Sequence, residues 1–214
     1  DMVIDKFYLG KDTVGNINVH VNNEKENTYA ADVSITENGN NVSLIGEFIS
    51  PPKEESSFNA TLNIAPLKMK TIQAFSLGYL KESKGDINGE LKISGTTNKP
   101  VIKGDLNFNA AEFNVAMLNA AFLIDNEKIS FNDRGISLTN FNIKDKKGNS
   151  GELNGTINTT NYTDYAFNLN LKTDNFEVVN STRQDNDLFF GKMYVSSDLR
   201  IRGTLDKPVV DGNI

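Results

Sequence analysis

The residues able to do chemistry are few and scattered. Histidine occurs once, at position 20, and cysteine is absent. A Ser-His-Asp triad would have to use His20, and no Gly-x-Ser-x-Gly elbow is present to hold its serine. Without Cys or a second His, neither a disulfide framework nor the usual zinc site can form. His20 lies on the stretch Ile17-Val19-Val21, opposite the apolar positions, and reads as a solvent-facing strand residue. Asp185-Asn186-Asp187 resembles the start of a calcium loop. Phe190 stands where that loop needs its glycine, and no closing Glu follows. Asp5, Glu47, Asp105 and Glu152 fall on the polar sides of strands, and no spacing brings two of them together as an acid/base pair. Phosphate-cradling glycine loops are absent. The expectation is a protein that is not an enzyme and that uses no metal and no cofactor.

Composition narrows the partners. The net charge is −6 over 214 residues. A nucleic-acid backbone calls for a basic stripe, and so does a lysine-rich hold on anionic lipid. The longest uninterrupted apolar run is Ala120–Ile124, far short of the ~20 residues that span a bilayer. Asp1 begins, and Ile214 ends, inside alternating stretches. We therefore expect a segment of a longer protein, with any anchor or export signal outside it.

The elements that would position side chains are strands. Alternation with period two recurs at Ile17-Val19-Val21, Val33-Ile35, Val42-Leu44-Gly46-Phe48, Phe58-Ala60-Leu62-Ile64, Leu91-Ile93, Ile102-Gly104-Leu106-Phe108, Ile136-Leu138, Leu153-Gly155-Ile157 and Phe167-Leu169-Leu171. Turn clusters separate them, among them Glu37–Asn40, Thr97–Pro100 and Asp145–Asn149. A slip of phase after Leu138 predicts a bulge near Thr139-Asn140. From Leu67 to Leu80 the apolar period changes to three and four, with Met69, Ile72, Phe75 and Tyr79 in step, which predicts a short amphipathic helix. Residues 175–192 carry a weaker signal, read as a second short helix or as one turn plus a loop.

A phrase occurs twice. Residues 90–106 read ELKISGTTNKPVIKGDL and residues 198–214 read DLRIRGTLDKPVVDGNI, with Gly95 and Gly203 in register 108 residues apart. Residues 41–48 and 58–62 recur at an offset of 109. The chain thus reads as one continuous body of two repeat units, about 1–106 and 107–214, stacked without a linker. Some fifteen strands would make a sheet about 70 Å wide, and the helical residues are too few to cover its apolar side. The sheet must cover itself as a barrel, a sandwich or a trough, and repetition favours a trough or solenoid.

The phrase Gly-x-Leu-x-Ile-x-Gly-Thr-x-x-Lys-Pro-Val-x-x-Gly-x-Leu resembles the C-terminal domain of the TamB family, the inner-membrane subunit of the translocation and assembly module. Phe122-Leu-Ile-Asp125, Ile129-Ser-Phe131, Gly135–Leu138, Leu153–Ile157 and Asp187–Lys192 are similar as well. The Asn- and Lys-rich flavour resembles Bacteroidota versions. The resemblance implies membership of the AsmA-like bridge proteins and an all-β, elongated, U-shaped antiparallel sheet, the β-taco, with one or two short helices. It implies a place in the periplasm, an inner-membrane anchor N-terminal to this segment, and phospholipid acyl chains as cargo between the two membranes. It further implies a role in outer-membrane protein assembly through an Omp85-type partner, contacted by parts outside this segment.

The residues expected to face such a lipid groove are Leu91, Ile93, Ile102, Leu106, Phe108, Ile136, Leu138, Leu153, Ile157, Phe167, Leu169, Leu171, Leu199 and Ile201. Met69, Ile72, Phe75 and Tyr79 of the helix are expected to plug or line it. Two other readings stay open. The chain could be a scaffold that augments strands of outer-membrane β-proteins, or a structural or adhesive β-solenoid with a closed core.

Overall fold

A computed structural model describes residues 1–214, with every side chain except that of Glu24. Fourteen strands form one antiparallel sheet. In chain order they are β1 (Met2–Leu9), β2 (Asp12–Lys25), β3 (Thr28–Glu37), β4 (Asn40–Ile49), β5 (Ser57–Lys68), β6 (Leu80–Thr96), β7 (Pro100–Val115), β8 (Ala120–Ile124), β9 (Lys128–Asn132), β10 (Gly135–Asp145), β11 (Ser150–Asn158), β12 (Ala166–Ser181), β13 (Gly191–Thr204) and β14 (Pro208–Asn213). Each strand pairs with its sequence neighbours. The exception is the pair β8 and β9, which lie end to end between β7 and β10. The all-β class read from the alternation is the fold observed.

The single helix α1 (Met69–Phe75) is shorter than the stretch from Leu67 to Leu80. Leu67 and Lys68 belong to β5, paired with Ile87 and Asp86, and Leu80 already belongs to β6. Residues 175–192 hold no second helix. β12 runs on through Ser181, paired with Gly191, and a loop over 182–190 completes the segment. The β-branched and aromatic residues Phe176, Val178 and Val179 favour strand there.

The repeated phrase is a hairpin. Gly95 faces Pro100 across the β6–β7 turn, and Gly203 faces Pro208 across the β13–β14 turn. Both glycines have left-handed φ, 100° and 88°. A Cβ at either would sit 2.4 Å from the carbonyl oxygen of Lys99 or Lys207. Only glycine closes this turn without strain. The pairing repeats with the sequence: Leu62 faces Leu91 and Leu91 faces Gly104 in the first unit, while Leu171 faces Leu199 and Leu199 faces Gly212 in the second.

Bulges bend the long strands. Lys6, Glu82, Ala110, Asn140 and Asn175 hold left-handed φ of 45–55°, each beside a shift of register. The predicted bulge at Thr139-Asn140 is one of them. An extra residue on one strand increases bend and twist, which turns the apolar side of the sheet inward. Val42, Ile64, Ile87, Ala111, Ile124, Leu138, Phe141 and Leu169 then form one buried cluster with Met69 of α1. A flat sheet with seven helical residues on it could not bury eight strand side chains so far.

Gly95→Ala is expected to lower stability by about 2–3 kcal/mol, from backbone strain and the contact with Lys99. A urea titration followed by far-UV circular dichroism measures it, and an unchanged midpoint would refute the turn assignment.

Candidate functional site: the apolar inner face

The inner face is built of rows that cross strands. One row runs Ile4, Ile17, Ile35, Val42, Ile64, Gly89, Leu106, Ile129, Leu138, Gly155, Leu169, Ile201, Val210, each residue facing the next across a ladder. It passes through thirteen strands, about 60 Å at ~4.8 Å per strand. Two residues along lies a second row, from Met2 through Val19, Val33, Leu44, Leu62, Leu91, Gly104, Phe131, Ile136, Ile157 and Phe167 to Gly203 and Pro208. Neither row contains a polar side chain.

All fourteen residues read as groove-facing fall on this face. Leu106, Leu138, Leu169 and Ile201 lie in the first row, and Leu91, Ile136, Ile157 and Phe167 in the second. Leu153, Leu171 and Leu199 face one another in a third row that starts at Phe141. Phe108 meets Phe141 edge-on, with ring centroids 5.7 Å apart. Ile93 and Ile102 form a fourth row with Ala60. Leu91, Leu138 and Leu169 are buried and the other eleven are half-buried. Met2 and Val210, on the first and last strands, are 49% and 56% exposed. The inner residues of β2–β5, such as Val42, Leu44 and Ile64, belong to the same face. Their alternation carried the signal, and carrying the row across the ladders would have found them.

The helix residues divide. Met69 is buried and Ile72 packs against the same cluster. Phe75 and Tyr79 do not join that cluster and are 51% and 71% exposed; α1 ends at Phe75, and Leu77 and Gly78 hold left-handed φ before β6.

Buried polar groups fasten the rim. Asn40, at the start of β4, donates its amide to the Val14 carbonyl and to Thr71 of α1, both at 2.7 Å, and accepts the Lys68 N–H at 2.8 Å. Asp145, 1% exposed, does the equivalent work in the second unit. It accepts N–H groups from Lys147, Asn149 and Glu177 at 2.8–2.9 Å, and the Asn149 amide at 2.8 Å. Lys68 and Glu177 are 109 residues apart, the offset of the repeat. Burial pushes the Asp145 carboxyl up, but those donors outweigh it and hold the group below the ordinary carboxylate value.

The other polar candidates stay apart. His20 is exposed and faces the carboxylate of Asp1. The Asp185 carboxylate is taken by the Thr182 N–H and hydroxyl, both at 2.8 Å, and by Lys81 at 3.3 Å. Asp105 pairs with Lys128 and Ser130 on the outer face. Among the described residues no group of three or more His, Asp and Glu is arranged to hold a metal ion.

The comparisons with known proteins bear on the second unit. Residues 139–214 match the family model of the TamB C-terminal domain. This stretch, about a third of the chain, is similar to the TamB C-terminal domain. It begins at the β10 bulge and takes in β11–β14, and the ladders β4–β7 reproduce the register of the matched segment at offsets of 109 and 108. No curated protein and no solved structure matches the chain. TamB proteins belong to the cell envelope, and among the described residues no helix is long and apolar enough to cross a membrane.

Asp145→Ala strands three buried N–H groups and is expected to lower stability by about 3 kcal/mol. Because the folded carboxyl titrates below its unfolded value of about 3.9, its contribution is complete above that pH and is lost as pH falls toward the folded pKa. Asp145→Asn should therefore flatten the loss of stability below about pH 4. Urea midpoints measured from pH 7 to pH 3 check both, and parallel acid slopes for the parent and Asp145→Asn would overturn the assignment.

Proposed function

We propose that this chain is a bridge segment whose inner face carries phospholipid acyl chains between the inner and outer membranes, within a protein held in the inner membrane by a helix outside the segment. The observation that carries the reading is the pair of unbroken apolar rows across thirteen strands. A lipid with ~30 methylenes faces a cost on the order of 25 kcal/mol in water, at ~0.8 kcal/mol per CH₂. A continuous apolar face removes most of that cost and needs no catalytic residue, so the chain acts without being an enzyme. The TamB family's envelope role in lipid transport or protein assembly supports it.

The half-buried positions are the contact points of this mechanism. Ile157, Phe167, Leu199 and Ile201 present side chains that an acyl chain can reach. Leu138 and Leu169 already pack against Phe141 and their neighbours, so a charge there breaks the fold first. The alternative is a scaffold whose sheet edge receives a strand from an outer-membrane β-protein.

Mass spectrometry of organic extracts from the purified chain should recover phospholipid. A photo-crosslinker at Ile157 or Ile201 should capture acyl chains, and Ile201→Arg should reduce the recovered lipid several-fold while the strand signal in circular dichroism persists. Crosslinks to polypeptide at both positions, with no lipid extracted, would sink the lipid reading in favour of strand augmentation.

A further inference from the structure

The two units treat one place differently. In the first, the chain between β5 and β6 folds as α1 and lays Met69 and Ile72 onto the rim of the inner face. In the second, the equivalent chain between β12 and β13 makes no helix and leaves a cavity of about 420 Å³. Leu118, Val179, Phe189, Phe190 and Met193 line it, with Lys192 at its edge. Val179 and Met193 are paired and continue the ladder of Phe176 and Val195, so the cavity opens at the end of the proposed lipid face.

Large apolar side chains meet water around it. Phe190 and Met193, which line it, are 50% exposed, and Leu188, on the same loop but lining a separate cavity with Tyr79 and Met117, is 92% exposed. Soluble surfaces rarely gather such residues without a ligand or partner. The loop that carries them is fastened: Lys81 pairs with Asp185, Ser181 donates to the Phe189 carbonyl at 3.2 Å, and Asn180 donates its N–H to the Leu118 carbonyl at 2.9 Å. Two cationic residues lie beside the cavity. Lys192 borders the cavity, and the guanidinium of Arg183 lies 4.8 Å from the Phe190 ring centroid. The Asp185 carboxylate is already engaged by Thr182 and Lys81, and Asp187 is exposed on the same loop.

We propose that this cavity is a side port that takes one acyl chain of an anionic amphiphile, with Lys192 and Arg183 meeting the head group. The occupant stands where α1 supplies aliphatic side chains in the first unit, and it rests on the reading of the inner face as an acyl path. A volume of this size suits a small apolar ligand, and the paired cations select the sign of its head.

The chain has no tryptophan, so Phe190→Trp gives a single reporter in the intact 214-residue protein. Oleate, added below micelle formation, should shift the emission to the blue and saturate, and oleylamine should bind on the order of tenfold more weakly. Lys192→Glu in that background should abolish the preference, and since Lys192 is exposed the fold should survive. A linear, unsaturable response, or equal binding of the two amphiphiles, would overturn the proposal. A photoactivatable fatty acid and a photoactivatable phosphatidylglycerol, mapped by peptide mass spectrometry, separate the sources and the sites. Labels within 179–193 support the port, from whichever probe places them. Labels at Ile157 and Ile201 without any in 179–193 sink the port and leave the acyl path standing. Labels in 179–193 alone keep the port as a site and sink the path.

Discussion

A one-layer sheet with a continuous oily face has to keep that face away from water, and the architecture follows from this constraint. Burying apolar surface is worth roughly 25 cal/mol per Å². Here no second layer is available to do it, since α1 covers little of thirteen strand positions. The sheet solves the problem by bending. Left-handed residues at five bulges bend β1, β6, β7, β10 and β12, and the inward side chains then meet across the concavity. Phe113, Phe122 and Phe176 show it: their successive centroids lie 5.8 and 5.9 Å apart although they come from β7, β8 and β12. Burial and curvature are one event in this fold.

Repetition adds a second constraint. The row that starts at Val42 in β4 reaches Gly155 in β11, yet the repeat equivalent of Val42 is Gly151. Over one unit the ladder has slid four residues along the strands, about 13 Å at ~3.3 Å per residue. The units are therefore not stacked squarely, and the sheet coils, as right-twisted strands require. Glycines occupy four places in the rows: Gly89 and Gly155 in the first, Gly104 and Gly203 in the second. On the outer face, Lys144–Asp125 and Lys128–Asp105 cross between strands at 2.7 and 3.1 Å. Exposed pairs of this kind add little stability. They do oppose a one-residue slip, which would turn every apolar row outward.

The strands and the inner face were legible because period two is a local signal. Leu91, Ile136, Ile157 and Leu171 could be assigned to one face from alternation alone. The bulge at Asn140 showed as a lost phase between Leu138 and Phe141. What the sequence concealed was non-local. Phe75 and Tyr79 keep helical spacing with Met69 and Ile72, but the helix stops at Phe75, so the spacing outlasts the element. The strand character of residues 176–181 was obscured by Asn175, whose left-handed bulge resets the phase of the alternation. Asp145 read as a turn residue. That it reaches the N–H of Glu177 depends on β12 lying beside β11, and no window along the chain contains both. The side cavity was invisible for the same reason, since Leu118 and Met193 meet only through the sheet.

The proposed path for acyl chains would ask for a compromise between packing and access. Interiors packed to crystal density leave no room for a guest, and fully exposed rows would aggregate. Along the inner face, buried residues such as Val42, Ile64, Leu91, Leu138, Phe141 and Leu169 sit among half-buried ones. An acyl chain entering beside Ile157 or Ile201 exchanges one apolar contact for another. The exchange is nearly isoenergetic, because both partners are hydrocarbon and neither returns to water. Deep affinity at any one row would halt the chain there. Rows of similar aliphatic side chains, repeated at ~4.8 Å from strand to strand, give many shallow sites in place of one deep one. On the proposed reading, that arrangement suits passage rather than storage.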